Sequence, residues 1–402
     1  MEIGFVSFNQ DALNRANKVM KLLQGQGAID ELGLGRIRDA FSNDMFPGMS
    51  TLQTHAKYFL LMPALYAWLE RTPISDTREA RLKVRENEMA LTGRLVEGSP
   101  EGTSGIIGAD TLKSCAGYVK YDPAYVYQAG METYGLVPRG GNIYATLVER
   151  SVVFRNAAKK QTGNDETGDD SDDLTGNRQV FRTCCENYDF RSRQPLNIAL
   201  SYKEADFLKR QIELHTQGSL LCFLLESGLY EVATDYLFDD LDKCLWGNVP
   251  DRLLRTYILA RRFSRFAFLL RLRYAMLYDV AVNALNAAEE VSAMFHRTLE
   301  EFADEFTPES IEEIVRYVSP KVSEVTCRTF IIKSADLIAE KNFDELDRLI
   351  TLREKSIKGI KRSKLINAGD MQQGKPFEIQ AMMTYRWNSI VRTVLKEIKE
   401  AL

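Results

Sequence analysis

The chain has 402 residues, of which 45% are hydrophobic, 10% aromatic and 27% charged. This is the composition of an ordinary folded protein, and it excludes collagen-like, wholly disordered and purely coiled-coil chains. The formal net charge is −4, so the molecule as a whole does not attract nucleic acid or an anionic membrane, and any such binding must be local. The length predicts roughly two to four domains.

The N-terminal region predicts a helix-turn-helix-like unit. Its first helix runs from a capping box at Ser7 to Gly25, and a second helical segment covers Ile37 to Met45. Phe46-Pro47-Gly48-Met49 predicts a break, because a proline disfavours helical geometry in the residue before it and a glycine suits a tight turn. A further capping box then predicts a third helix that begins at Ser50.

The third predicted helix carries candidate recognition residues. Helical periodicity places four polar residues on one arc, opposite the apolar side of the helix. These are Ser50, Gln53, Thr54 and Lys57. Side chains of these types bond base edges or phosphates, so Gln53 and Lys57 are candidate nucleic-acid-binding residues. A plain packed helical hairpin is the alternative.

The middle of the chain predicts an exposed, charged helix over 76–97 and a helix that starts at Asp122-Pro123. Ile143 to Val148 fits either a strand or the start of a helix, so minor β structure around 143–200 stays open. The acidic, glycine-containing stretch 161–177 is too poor in apolar residues to pack, and it predicts a flexible linker.

These elements predict a mainly α-helical, multidomain protein. We expect an N-terminal helical domain over 1–160, the acidic linker over 161–177, and one or more helical domains over 178–402. The last helix is predicted by an apolar stripe in the final turns of the chain. Its members are Ile390, Val391, Val394, Leu395 and Ile398.

No membrane, metal or cofactor chemistry is predicted. The longest uncharged apolar stretch, Tyr58 to Leu69, is interrupted by Pro63 and is shorter than the roughly 20 residues that a transmembrane helix needs. The N-terminus lacks the basic and apolar regions of a secretory signal, so we expect a cytoplasmic protein. The 6 cysteines form no C-x-x-C pair, and the 3 histidines lie far apart in sequence.

Two basic tracts are the main candidates for contacts with phosphate. Residues 252–278 contain seven arginines and no acid, and Arg255, Arg262 and Arg273 align on one helix face. Pairing with acids of neighbouring helices is the alternative for this tract. The second tract has six basic residues and one acid near a predicted helix end. Its basic residues are Arg353, Lys355, Lys358, Lys361, Arg362 and Lys364.

Several stretches together resemble an uncharacterised bacterial family of unknown function. They are Gly4–Phe8, Asp30–Phe41, Phe46–Thr54, Ser219–Leu221, Arg353-Glu354 and Tyr385-Arg386-Trp387. Proteins of this family are found in antiphage defence clusters, including Druantia-like and DISARM-related ones, beside large helicases. The chain differs from the family pattern at His55, where a basic arginine is usual, and in its acidic insert over 163–173.

The resemblance implies a non-catalytic component of an antiviral defence system, with other defence proteins, above all a helicase, as its partners. Together with the basic tracts, it predicts binding to nucleic acid, to a partner helicase or to both. Two alternatives stay open. One is a nuclease or other effector enzyme whose metal site is assembled from acids distant in sequence. The other is a scaffold that binds proteins only.

Overall fold

The computed structural model describes residues 30–114, 118–162, 179–184, 188–371 and 373–402. Within these ranges the protein is mainly α-helical and contains no β-strand, which confirms the predicted fold class. The α-helices are α1 (Gly35–Met45), α2 (Tyr58–Leu69), α3 (Thr77–Gly98), α4 (Ala109–Lys113), α5 (Pro123–Thr133), α6 (Ile143–Thr162), α7 (Tyr202–His215), α8 (Leu220–Glu226), α9 (Tyr230–Ala233), α10 (Asp242–Leu245), α11 (Asp251–Ala281), α12 (Leu285–Glu301), α13 (Pro308–Val318), α14 (Val325–Ala339), α15 (Phe343–Lys358) and α16 (Arg392–Ala401).

The structure decides the segment that the sequence left open between strand and helix. Residues 143–148 are the first turns of α6, and the described residues between 179 and 200 form turns, bends and loops. The first predicted helix, from Ser7 to Gly25, and residues 163–177 of the predicted linker lie outside the described residues.

The predicted helix-turn-helix geometry is wrong at its third helix. The helix α1 and the break after Met45 are present, but residues 50–57 form turns and loop, and the next helix, α2, begins only at Tyr58. Gln53 accounts for the misleading capping pattern. Its Oε1 accepts the Ser50 N–H at 2.8 Å and its Nε2 donates to the Gly48 carbonyl at 3.1 Å, so the side chain closes a turn instead of starting a helix.

The described residues form two compact units that are each discontinuous in sequence. The first unit combines residues 30–42 with Pro250–Tyr385, and the second combines Asn43–Val249 with Arg386–Leu402. The predicted boundary at 161–177 therefore falls within the second unit. Helices from both sides of that stretch pack together in it, because α2 contacts α3, α5 and α6 as well as α7.

The core of the second unit forms around α2, whose residues are apolar on nearly all sides and mostly buried. Gly130 of α5 allows a close approach, since a Cβ there would lie 2.5 Å from the Gly48 carbonyl oxygen. The predicted last helix is confirmed. Val394, Leu395 and Ile398 of α16 are buried, and α16 packs against α7 and α9.

The first unit is organised around α11, a helix of 31 residues that packs against α12, α13 and α15. Phe41 of α1 stacks on Tyr317 at 5.4 Å between ring centroids and meets Tyr385 edge-on at 5.9 Å. Fully burying an aromatic or aliphatic side chain of this size contributes roughly 1.5 to 3 kcal/mol. The stacking on Tyr317 ties α1 to α13, and α13 and α15, which both pack against α11, carry acids and bases described next.

Candidate nucleic-acid interface

The second basic tract lies at the C-terminal end of α15, in the first unit. The helix begins after Asn342, whose side chain accepts the Glu345 N–H at 3.3 Å. It ends at Gly359, which has a φ of +74°. This left-handed conformation favours glycine, and it turns the chain into a short 3₁₀ helix over Ile360–Arg362. The tract is therefore divided between a helix end and a tight turn.

The inward face of α15 continues from its apolar residues into the basic tract. Leu346 and Ile350 are fully buried, and the next residues on that face are charged. They are Arg353, Glu354 and Lys358, with exposed fractions of 6%, 0% and 8%. Buried charges require partners, because an unpaired charge away from water is costly.

Glu354 is the centre of a buried hydrogen-bond network. Its carboxylate accepts five hydrogen bonds, two of them from backbone N–H groups of the segment that follows the helix. The donors are the Tyr274 hydroxyl at 2.7 Å, the Ser363 hydroxyl at 2.7 Å, Lys358 Nζ at 3.0 Å, Lys364 N at 2.9 Å and Leu365 N at 3.1 Å. Glu354 thus fixes the conformation of residues 359–365 from the inside.

Lys358 and Lys364 are held by carboxylates. The Lys358 ammonium contacts Glu354 and Glu31, and Lys364 Nζ lies 2.8 Å from Glu31 Oε1. Burial, followed by the neighbouring Lys364 and Arg362 cations, lowers the pKa of Lys358 to about 7, and the Asp30 carboxylate opposes that change. The side chain of Lys364 remains 30% exposed.

Arg353 also points inward. Its guanidinium donates to the Leu32 carbonyl oxygen at 3.0 Å, to Thr326 Oγ1 at 3.3 Å and to Glu324 Oε1 at 3.3 Å. These contacts tie α15 to the segment before α1 and to the start of α14. Arg353 and Lys358, two of the predicted phosphate contacts, are therefore engaged with the protein itself.

The remaining three bases of the tract form what we call the basic face: Lys355, Lys361 and Arg362. All three are exposed, and the side chains of Lys355 and Lys361 have no hydrogen bond or ion pair to a described residue. Arg362 donates through Nε to the Lys358 carbonyl oxygen at 3.0 Å, which leaves its terminal nitrogens on the surface. The one acid between residues 352 and 366 is the buried Glu354, so no exposed carboxylate opposes these cations there.

The arginines predicted on α11 are paired with acids. Arg255 and Arg262 share Glu313 of α13, at 2.9 Å and 3.3 Å. Arg265 and Arg273 of the same helix bind Glu305 and Asp347, and the Arg273 contact has two hydrogen bonds, of 2.5 and 2.7 Å. These four arginines therefore pair with acids of the protein itself, which was the alternative to phosphate contact for this tract.

The two predicted recognition residues of the second unit are buried. Gln53 and Lys57 are each 5% exposed. Lys57 Nζ donates to the Ala199 carbonyl oxygen at 2.8 Å and to Glu204 Oε2 at 2.9 Å. The structure therefore does not bring these residues to a shared surface, and they lie in a different unit from the basic face.

Sequence reasoning overlooked Glu31 and Glu354, which decide which bases point outward. Glu354 carried a readable signal, because it follows Leu346 and Ile350 at four-residue spacing and so continues the buried stripe. Glu31 carried none, since its partner Lys364 is 333 positions away.

Two other types of site are absent from the described ranges. No group of three or more His, Cys, Asp or Glu side chains there is placed to hold a metal ion. In the same ranges, no helix combines the length and the apolar character needed to cross a membrane.

Comparison with known proteins identifies an uncharacterised domain. Residues 2–156 match the model of a family described as a family of unknown function (DUF6361). No curated protein and no protein of solved structure matches the chain. The matched range ends within α6, so it includes α1 to α5 but neither α11 nor the basic face.

Proposed function

We propose that the chain binds the phosphate backbone of nucleic acid through the basic face, as a non-catalytic component of a bacterial antiviral defence system. The observation that carries this proposal is the exposure of Lys355, Lys361 and Arg362 on a segment without an exposed acid. Glu354 fixes that segment from inside. A segment whose backbone is fixed before binding loses less conformational freedom when its side chains contact phosphates.

The defence setting is supported by the resemblance of the sequence to proteins of antiphage clusters. In that setting the chain acts in the cytoplasm beside other defence proteins, and its helicase partner acts on the same nucleic acid. The net charge of −4 gives no general attraction to that polymer, so the local basic face must supply it.

A protein partner is the second candidate for the same surface. Leu352 and Ile360 are 61% and 57% exposed, and they lie in the same stretch of chain as Lys355 and Lys361. Exposed apolar side chains among cations are typical of protein contacts as well as of nucleic-acid contacts. Co-purification with a helicase encoded beside this chain, with and without nuclease treatment, separates a direct protein contact from one bridged by nucleic acid.

The test of nucleic-acid binding is a salt titration of the triple variant Lys355→Ala, Lys361→Ala, Arg362→Ala. Each phosphate contact contributes about 0.9 to the slope of log affinity against log salt on duplex DNA and about 0.7 on single strands. We expect the triple variant to bind more weakly at low salt and to lose up to about 2.7 from the duplex slope. Fluorescence anisotropy with labelled duplex and single-stranded DNA measures both quantities.

The matched control removes two lysines and one arginine elsewhere in the first unit. Arg297, Lys333 and Lys341 are exposed, and none of their side chains has a hydrogen bond or ion pair to a described residue. Their triple alanine variant has the same net charge as the test variant and should retain the wild-type slope. Equal losses in both variants, or no binding by the wild type, would contradict the proposal.

A further inference from the structure

The second unit contains an open cleft that the proposed function does not use. It has a volume of about 910 Å³ and lies beside the start of α7. Its walls include Lys57, Arg94, Asp189, Lys203, Glu204 and Phe207. Small-molecule sites commonly have volumes of about 300 to 1,000 Å³, so this cleft is large enough for a whole metabolite.

Lys57 places a buried cation in the wall of this cleft. The side chain is 6% exposed, and its ammonium has three protons. Two of these protons are used by the Ala199 carbonyl oxygen and by Glu204. The third has no acceptor among the described residues, so Lys57 keeps one donor for a bound molecule.

Arg94 and Lys203 add two further cations. Arg94 uses Nε for the Gln194 carbonyl oxygen at 2.8 Å and Nη1 for the Asp189 carbonyl oxygen at 3.1 Å. Its Nη2 has no acceptor among the described residues, and a guanidinium held by its other nitrogens is well placed to bind an anion. Lys203 is exposed and has no hydrogen bond or ion pair to a described residue.

The carboxylates of the cleft do not neutralise these cations. Burial alone would raise the pKa of Glu204, but the Ser201 N–H and the Lys57 ammonium lower it below its usual value, so Glu204 stays charged and paired. Asp189 is exposed and accepts the Arg191 N–H at 2.9 Å. Among the described lining residues, three cations thus face two carboxylates, and the charges of these side chains sum to +1.

We propose that this cleft binds a phosphorylated small molecule of nucleotide size. Arg94 and Lys203 contact the phosphate, and Lys57 gives its free donor to a phosphate or sugar oxygen. The half-buried Phe207 offers an apolar surface to the rest of the molecule. The excess of cations selects an anion, and the volume exceeds what inorganic phosphate alone would fill.

The test is isothermal titration calorimetry of the full chain with ATP, adenosine and inorganic phosphate as separate probes. We expect ATP to bind, adenosine to bind far more weakly because it lacks phosphate, and inorganic phosphate to compete with ATP. The variant Lys203→Glu should weaken ATP binding by about tenfold, because it places a negative charge beside the phosphate. Since the Lys203 side chain is exposed and pairs with no described residue, the variant should fold as the wild type does.

Two controls locate the binding. Lys333→Glu makes the same charge change at an exposed lysine of the first unit, and it should leave ATP affinity unchanged. The triple alanine variant of the basic face should also keep ATP affinity, even if it loses nucleic acid. No binding of ATP by the wild type, equal binding of adenosine, or loss of binding in either control variant instead of Lys203→Glu would overturn the assignment.

A 5′-phosphorylated dinucleotide distinguishes a free nucleotide from a strand end. It carries the same phosphate chemistry on a longer molecule. Binding as tight as that of ATP, and equally sensitive to Lys203→Glu, would identify strand ends as a source of the ligand. Binding of ATP alone would identify a free nucleotide.

Discussion

The two tracts of the first unit are both rich in basic residues, but their cations lie in different surroundings. All charged residues in the stretch 252–278 are basic, yet Arg255, Arg262 and Arg273 each form an ion pair with a carboxylate from another part of the chain. The tract at the end of α15 contains an acid, yet it leaves three cations exposed. The balance of bases and acids along the chain therefore does not decide surface charge. The acids that neighbouring helices bring within reach decide it.

The position of each tract in the fold explains the difference. α11 is flanked by α12, α13 and α15, so arginines such as Arg265 and Arg273, each 10% exposed on the side chain, are shielded from water and need a partner. The end of α15 has such neighbours on one side only. Bases that point to that side are bound by Glu31, Glu324 and Glu354, and bases that point outward meet solvent.

The largest expected effect comes from removing the centre of the inward side. Glu354→Ala leaves Tyr274, Ser363 and two backbone N–H groups without this acceptor, and it leaves Glu31 as the remaining carboxylate in contact with Lys358 among the described residues. Breaking a buried ion pair from one side costs about 3 to 5 kcal/mol in the free energy of unfolding, and we expect a loss of that size. Urea unfolding followed by circular dichroism measures it.

Glu345→Ala is the matched control for that variant. Glu345 lies on the same helix, is 51% exposed on its side chain and pairs only with Arg348 in the described residues. Its loss should cost less than about 1 kcal/mol. Similar losses in the two variants would mean that the network around Glu354 contributes no more than a surface pair.

The second prediction concerns the paired arginines of α11. Arg273→Met keeps most of the apolar stem but leaves Asp347 without its two hydrogen bonds. We expect a loss of about 2 kcal/mol in the free energy of unfolding, because hydrogen bonds to charged groups that are largely shielded from water contribute this much. Arg348→Met, at a side chain that is 74% exposed, should be close to neutral. Neutrality of both would show that pairing on α11 is incidental.

The helical class and the last helix were predictable because they depend on local periodicity, as in Val394, Leu395 and Ile398. The start of α2 was not. Ser50 and Gln53 have the spacing of a helix cap, and the same hydrogen bond also closes a turn. In the candidate site, the inward position of Glu354 was predictable, because it follows from the spacing of residues along a single helix. The pairing of Arg255 with Glu313 depends on a tertiary contact across 58 positions.

The third prediction separates the tracts by binding. If the paired arginines are structural, the double variant Arg255→Ala, Arg262→Ala should keep the affinity for duplex DNA within about twofold and keep the salt slope. Lys361→Ala alone should lower that slope by about 0.9. The double variant should lose about 1 kcal/mol of stability or less, since Arg255 is 62% exposed on its side chain. If the salt slope of DNA binding fell in the double variant and not in Lys361→Ala, the arginines of α11 and not the basic face would be the phosphate contacts.

The smallest expected effect on stability concerns His55, a base whose protonated form is stabilised by its hydrogen-bond partners. In the second unit, His55 Nδ1 lies 2.6 Å from Glu397 Oε1, and Nε2 lies 2.7 Å from the Ser104 carbonyl oxygen. An ionised Glu397 and the Ser104 carbonyl oxygen both accept hydrogen bonds, so this geometry favours the ring form with a proton on each nitrogen, which is the cation. Burial alone would lower the pKa of His55, but Glu397 and Ser104 outweigh it and raise the pKa above 6.5.

A raised pKa in the folded state has a definite sign for stability. The contribution of His55 is complete below the ordinary pKa of 6.5 and is lost as the pH rises through the raised value. His55→Gln should therefore destabilise the protein more at about pH 5.5 than at about pH 8.5, as thermal unfolding at the two values would show. His296→Gln is the control, because that ring has no hydrogen bond to a described residue and the side chain is exposed. A cost of His55→Gln that is the same at both pH values would mean that the ring is neutral and that one of its two contacts is not a hydrogen bond.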